Sequence, residues 1–506
     1  MLCICILVFL FKKQGNGIAR TTQVSDQESI PVDSRVNMDD FLGVNVGQCQ
    51  ASPQDVKQVA AWIRDYSQWE WLEPEKNHYT FTNALNKFDY DAYYRQLDTL
   101  GIKSLFVVQQ TPRWISSAKQ DSDYRTYPPS GDQDGLQPDQ YKAAASFFYQ
   151  LAARYGSRKV ASNRLRTPDK LSGLNLLDAI EVYNEPDGNW GNHMTLKQYA
   201  ALLNAVYDGN HDELKGPYGI KAADSNMLVS IGGLAGNLAS LKKIVAYAGR
   251  TPFDIINAHY YTFRNVREGY RVAVAPEWSS LENDMRQLVS WSAKYAPGKP
   301  VWLTEIGWDT ENHNPEHVTE QEAANYLIRS YLLALGAGIK KCFWFIFTDL
   351  DDAPSPGVFT SSGLFKNRAV PYHGKTSLKP KLTYWYNATL KQLLSGYYFD
   401  ANRSFPHGDS TVYQYLFSTK DGRKRLSVLW YCPRFQYAFR PLTRPPSNIS
   451  YRFGLPDSTW TIDKVVRPVE GSMEGKVQPY AIKHGDVLIN LNATPVFIEE
   501  ERIAGR

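Results

Sequence analysis

Between residues 38 and 395 the chain alternates two patterns of hydrophobic and polar positions. Short apolar runs are each followed by a stretch whose apolar residues recur every three or four positions. The runs predict strands over 41–45, 63–69, 103–109, 179–183, 228–231, 253–258, 301–304 and 342–347. The longer stretches predict helices over 53–62, 88–100, 138–155, 195–208, 237–248, 279–295, 319–336 and 380–395. Ser52 before Pro53 reads as a helix start, and Gly101 and Gly156 read as helix stops. Apolar strands alternating with helices imply a parallel sheet covered by helices. Eight such units imply a closed (β/α)8 TIM barrel. Near Gly396 the period changes to two, over 412–417, 426–431, 459–465, 487–491 and 495–499, with turns at Asp421-Gly422 and His484-Gly485. This predicts a β-sandwich. The expected division is a leader and linker over 1–37, a barrel over 38–395 and a C-terminal β-sandwich domain over 396–506.

The 506 residues are 43% hydrophobic and 21% charged, which excludes a disordered or multi-span membrane chain. A net charge of +4 gives no footprint for nucleic acid. The apolar run over 2–11 is too short to span a bilayer, so no stable membrane span is expected. It suits a signal-peptide core, although Lys12 and Lys13 follow it instead of preceding it. With the small residues of Gly17-Ile18-Ala19 behind it, the run predicts an exported protein. Cys3 and Cys5 fall in this leader, and Cys49, Cys342 and Cys432 are too few and too scattered for a disulfide framework or a zinc site. No Gly-rich phosphate loop, His-Glu-x-x-His or nucleophile elbow is present, and neither a cofactor nor a metal is expected. His313 and His317 are spaced for a helix face, but Asn314-Pro315 between them argues for a loop. Asp349, Asp351 and Asp352 form an acidic cluster that binds calcium, substrate or only water. Aromatic residues reach 13%, which a large core or a sugar-binding cleft would use.

Barrel enzymes keep their chemistry at the C-terminal ends of the strands. The fourth predicted strand runs into Tyr183-Asn184-Glu185-Pro186 and the seventh into Thr304-Glu305-Ile306-Gly307-Trp308. Each presents a carboxylate directly after an apolar strand. The two lie 120 residues apart, three units of about 40. Both should therefore point into one cleft. A pair of carboxylates facing each other across a sugar bond is the requirement of glycoside hydrolysis. The bland reading of either one alone is an ion pair or a helix cap.

The run Ile180-Glu181-Val182-Tyr183-Asn184-Glu185-Pro186 resembles the Asn-Glu-Pro signature of the retaining glycoside hydrolases of clan A, and Leu303-Thr304-Glu305-Ile306-Gly307-Trp308 resembles that clan's nucleophile strand. The resemblance covers most of residues 41–400 and extends to Trp69-Glu70-Trp71-Leu72-Glu73-Pro74, Thr111-Pro112-Arg113-Trp114, His259-Tyr260-Tyr261 and Trp344. Within the clan the chain is most similar to family 39 and its relatives. The resemblance implies that Glu185 is the general acid/base and Glu305 the nucleophile. It implies that Asn184 bonds the sugar hydroxyl next to the reacting carbon, that Tyr261 holds the Glu305 carboxylate and that His259 joins the same network. It makes Trp344 the floor of the sugar site and Trp114, Trp308 and Trp190 aromatics around it. Arg64 would bind substrate, hold the carboxylates in register, or pair with Asp65 or Glu73. Tyr183 stands where many clan members carry Trp, which bears on local packing.

The function these residues imply is a retaining glycosidase acting on β-linked oligo- or polysaccharide, with carbohydrate as its only expected partner. The alternatives are a catalytically inactive carbohydrate-binding barrel and an adhesin working through the C-terminal sandwich. Residues 115–137 and 157–177 are the long connections expected to shape specificity.

Overall fold

A computed structural model of the protein describes residues 35–47, 51–82, 88–115, 133–188, 194–267, 270–310, 316–350, 359–366, 378–400, 411–433, 447–483 and 486–503. Eight parallel strands, β1 (Leu42–Gly47), β2 (Trp62–Ser67), β3 (Lys103–Val108), β4 (Ala179–Val182), β5 (Leu228–Ile231), β6 (Ile256–His259), β7 (Val301–Ile306) and β8 (Lys341–Trp344), pair in the order β5-β4-β3-β2-β1-β8-β7-β6. The remaining seam, between β5 and β6, closes through bridges at Ser230–Ile255 and Leu234–Ala258. The result is the expected TIM barrel. The principal helices are α1 (Pro53–Val59), α2 (Trp69–Leu72), α3 (Tyr90–Thr99), α4 (Lys142–Tyr155), α5 (Leu196–Asp208), α6 (Ile220–Ala223), α7 (Asn237–Ala248), α8 (Leu281–Tyr295), α9 (Glu320–Gly336) and α10 (Leu382–Leu393). Thr195 and Thr319 start α5 and α9 by accepting from the backbone N–H three residues on, as capping boxes do.

The barrel interior is layered. Trp62, Leu105, Ala179, Ile255, Trp302 and Phe343 fill its N-terminal end as a separate apolar plug. A side chain at position 43 would collide with the Phe343 ring, so β1 carries glycine at this level. One residue pair further along the strands the inward positions turn polar, with Asn45, Arg64, Glu181, Asn257 and Thr304 all buried. This layer supports the site above it.

The period-two region forms β9 (Tyr397–Phe399), β10 (Val412–Thr419), β11 (Lys424–Tyr431), β12 (Ile449–Phe453), β13 (Trp460–Val469), β14 (Ser472–Val477), β15 (Ala481–Lys483), β16 (Asp486–Leu491) and β17 (Val496–Arg502). They make a six-stranded sheet, β9-β10-β11-β17-β13-β14, and a three-stranded sheet, β12-β16-β15. Alternation along β11 shows how the sheets pack. Leu426, Val428 and Trp430 join the main core with the barrel helices. Leu429 and Tyr431 point the other way, into the core between the two sheets. The large sheet is therefore buried on both faces. An ion pair pins the junction: Arg329 of α9 and Glu277 are both almost fully buried, and the Trp430 indole donates to Glu277 Oε1 at 2.7 Å.

Several differences from the sequence reading have simple causes. Trp69 starts α2 where a strand was expected, because β2 ends at Ser67. Strands β9, β12, β14 and β15 and a two-stranded ribbon, Phe263–Arg267 with Tyr270–Ala273, escaped prediction, being short and without a clean alternation. Residues 36–39 belong with the accessory sheet and not with a linker. The Phe399 N–H donates to Val36 O at 2.9 Å, and Asp39 accepts from Ser395 and Gly396. Residues 157–177 follow a helix, not a strand. They pack back along α4, where Gly173 N–H reaches Ala153 O at 2.9 Å, and so do not form the rim of the barrel. The apolar leader, Cys49, His313 and Trp190 lie outside the described residues.

Candidate active site

β4 ends at Val182, and the chain then turns sharply. Tyr183 and Glu185 both take positive φ, at 71° and 46°, a conformation costly for residues with a Cβ. Tyr183 is fully buried and joins the main core. The turn carries Glu185 back over the barrel mouth. Glu305 arrives by another device. The registers of β7 with β6 and with β8 both shift near Thr304 and Glu305. A bulge of this kind lets two successive residues face one side. Thr304 thus stays in the polar layer while Glu305 also points inward.

The two carboxylates meet there. Oxygens of Glu185 and Glu305 and a ring nitrogen of His259 all lie within 4.8 Å of one another. His259 Nδ1 stands 2.7 Å from Glu185 Oε1 and 3.4 Å from Glu305 Oε1. Glu305 is the more heavily bound. Arg64 Nη1 donates to its Oε1 at 2.7 Å, Tyr261 donates to its Oε2 at 2.7 Å, and the Tyr66 hydroxyl donates to Oε1. Burial by itself would raise the Glu305 pKa. The neighbouring His259 ring and Arg64 guanidinium, with the two phenol donors, outweigh it and hold this carboxyl below the usual range. Burial, with Glu305 and other anionic neighbours, pushes the Tyr66 and Tyr261 phenols well up, so both remain donors.

Arg64 is fully buried, and each of its guanidinium nitrogens bonds a carboxylate of the protein. Its Nε and Nη2 grip Glu181 at 2.8 and 2.7 Å, and it also donates to Asn45 Oδ1 at 3.0 Å and Asn184 Oδ1 at 2.7 Å. Of the readings left open for it, the structure therefore selects the register of the carboxylates. Substrate binding, and pairing with Asp65 or Glu73, are set aside. Glu181, in turn, accepts from Gly233 N–H at 2.9 Å. Because Arg64 takes the Asn184 oxygen, the amide nitrogen is the group of Asn184 left to serve a ligand.

The aromatic expectations need correction. Trp344 is fully buried, its indole donating to Ser362 O at 2.8 Å and its ring stacked on Trp308 at 5.8 Å. Trp308 donates to Val274 O and packs on Tyr326 of α9. Both therefore belong to the layer between strands and helices, not to the cleft. Adjacent strand residues face opposite ways, and the inward ring is Phe345, edge-on to Tyr66 and Tyr261 at 6.4 and 6.3 Å. Phe359 adds a second ring, 4.2 Å from Tyr261, and its N–H donates to Asp309 at 2.6 Å. Trp114 sits after β3, half-buried, with its indole tied to Glu73 O at 2.9 Å and its edge toward Trp69.

Tyr66, Asn45, Glu181, Phe345 and Phe359 were not singled out in the sequence. Asp349 is no cation site: the Lys381 ammonium lies 3.1 and 3.3 Å from its two oxygens, and Gly363 N–H donates to it at 2.8 Å. Asp351 and Asp352 lie outside the described residues. Glu185, His259 and Glu305 are close enough to hold a metal ion, but a guanidinium already supplies positive charge at Glu305.

No family model and no curated protein matches the sequence. Solved structures do. A family 39 glycoside hydrolase from Bacteroides cellulosilyticus WH2 superposes with a TM-score of 0.63 at 18% identity, over 93% of this chain and 82% of that one. The chain shares its fold with solved glycoside hydrolases. A family 39 enzyme from Xanthomonas axonopodis pv. citri aligns with a TM-score of 0.57 at 16% identity, over 94% of this chain and 96% of the other. AbfB, a family 51 α-L-arabinofuranosidase from Bifidobacterium longum, gives 0.57 at 13% identity, over 94% and 98%. These structures include both the barrel and most of the accessory domain.

Proposed function

We propose that the protein is a retaining glycoside hydrolase acting by double displacement on β-linked oligo- or polysaccharide. The observation that carries this reading is that one Glu185 oxygen and one Glu305 oxygen lie within 4.8 Å of each other, a nearest-atom approach that favours the closer of two carboxyl arrangements. Retaining enzymes hold their carboxyl groups about 5–5.5 Å apart, whereas inverting ones need about 6.5–9.5 Å to admit a water. The surroundings of Glu305, two phenol donors and a guanidinium, suit a carboxylate that must stay ionised to attack the anomeric carbon. Glu185, 2.7 Å from the His259 ring, suits the group that delivers a proton to the leaving oxygen. It would then take a proton from the water that releases the sugar. Asn184 would donate through its amide nitrogen to the hydroxyl beside the reacting carbon, and Phe345 would replace Trp344 as the apolar floor.

The test is a screen of aryl β-glycosides, xylosides and arabinofuranosides included, followed by Glu305→Gln and Glu305→Ala. Turnover should fall by several orders of magnitude with the fold intact by circular dichroism, and the first-formed sugar should keep its anomeric configuration by NMR. Full activity in either variant, or an inverted product, would overturn the reading. Export is part of the same proposal and rests on the apolar run over 2–11. The chain expressed in its own host should appear outside the cytoplasm with a new N-terminus.

A further inference from the structure

The polar layer beneath the site contains a hydroxyl and an amide that the reaction as described does not use. Thr304 Oγ1 lies 2.5 Å from Asn257 Oδ1 and 3.1 Å from His259 Nε2. All three residues are buried. A separation of 2.5 Å is in the range of O–H···O bonds and too short for N–H···O. Thr304 therefore spends its only proton on Asn257. Its oxygen is left as an acceptor, and the group 3.1 Å away, His259 Nε2, must donate to it. Asn257 holds this post at a cost, for its Nδ2 is buried and has no hydrogen-bond partner among the described residues.

With Nε2 protonated, neutral His259 presents a lone pair at Nδ1. The atom facing that lone pair is Glu185 Oε1, at 2.7 Å. Two lone pairs cannot meet at that distance without a proton between them. We propose that Thr304 and Asn257 are positioning residues that fix His259 as its Nε2–H tautomer, so that the acid's proton is shared between Glu185 Oε1 and His259 Nδ1. The inference rests on the reading of Glu185 as the acid. A flipped ring would set carbon atoms against Glu185 Oε1 and Thr304 Oγ1 and forfeit both hydrogen bonds. A Cβ at Gly233 would fall 1.8 Å from His259 Nε2, so the imidazole is seated directly on the β5 loop, and its backbone N–H donates to Leu234 O at 3.0 Å. The other charged groups around it are Glu305 from β7 and, through Glu305 and Glu181, Arg64 from β2. The phenols of Tyr66 and Tyr261 face it only by way of Glu305.

The experiment uses Thr304→Val, which keeps the shape and removes the hydroxyl, and Thr304→Ser, which restores it. Both are assayed on two aryl glycosides of the sugar the screen identifies, one with a phenol leaving group and one with a dinitrophenol, which departs without acid help. Loss of one hydrogen bond in the relay should lower kcat/KM for the phenyl glycoside about tenfold and move the alkaline limb of its pH profile. The dinitrophenyl glycoside should be turned over within about twofold of the parent enzyme, and Thr304→Ser should recover both values. Nitrogen NMR of the unmodified protein should show His259 protonated at Nε2. Equal losses on both substrates, an unchanged phenyl glycoside, or an Nδ1–H tautomer would overturn the inference. If Glu305→Gln abolishes turnover while Thr304→Val shows no leaving-group dependence, only this inference fails. If Glu305→Gln is fully active, the glycosidase reading itself fails.

Discussion

Replacing Arg64 with methionine separates the stability of the polar layer from its catalytic use. The guanidinium is fully buried between two carboxylates, Glu181 and Glu305, with every nitrogen engaged. Methionine keeps the apolar stem and removes the charge. Glu181, also fully buried, would then keep only the Gly233 N–H. Breaking a buried pair from one side costs about 3–5 kcal/mol, because the remaining charge is uncompensated. A second variant, Arg64→Met with Glu181→Leu, removes that charge. Buried pairs replaced by apolar groups of similar size are often neutral in stability, so the double variant should regain most of the loss. Activity should not follow, since Glu305 still lacks its 2.7 Å guanidinium contact. Urea titrations followed by tryptophan fluorescence give the stabilities, and aryl glycoside hydrolysis gives the activities. A single variant within about 1 kcal/mol of the parent, or a double variant less stable than the single, would refute the reasoning about the buried charge.

Tyr261→Phe removes a donor to the ionised form of Glu305. Since the Glu305 pKa is held low by such donors, the acid limb of the kcat/KM profile should move to higher pH while the alkaline limb stays; an unmoved acid limb would count against the assignment. Lys381→Met leaves Asp349 buried without its ammonium, and the thermal midpoint should drop by an amount matching about 3–5 kcal/mol. The sequence holds four Asn-x-Ser/Thr glycosylation sequons, at Asn387, Asn402, Asn448 and Asn492. Asn402 lies outside the described residues, Asn387 is fully buried in α10 and Asn492 Oδ1 accepts from Arg467, whereas Asn448 is exposed at the start of β12. In a chain secreted through a eukaryotic host, Asn448→Gln should lower the endoglycosidase-sensitive mass by one glycan and Asn387→Gln should leave it unchanged.

The eight barrel units were readable because strands covered on both faces are continuous apolar runs, and helices with one buried face are not. Glu185 and Glu305 stood out as charges directly after such runs. The supporting residues were less visible for a physical reason. Asn45, Arg64 and Glu181 lie within strands, where an isolated polar residue reads as noise unless the barrel closure that brings them together is known. Arg64 and Tyr66 did carry a signal, being two apart on β2 and so on one face. The resemblance implied Trp344 as the floor, whereas strand parity decides which face a ring occupies and gives the inward position to Phe345. Phe359 could not be placed from sequence, because its contact with Tyr261 depends on the Asp309 carboxylate that holds its backbone.

The double-sided burial of the six-stranded sheet bears on how this chain can be taken apart. A cut near Gly396 would not release an independent module. It would strip Leu426, Val428 and Trp430 of their cover and expose α10 on the barrel side. Each large side chain so exposed forfeits about 1.5–3 kcal/mol. The glutamates lie at the far end of the same continuous core, so a transplanted catalytic half would carry its chemistry on an unsealed body. Grafting this protein onto another scaffold therefore means moving the whole of residues 36–502 as one cassette.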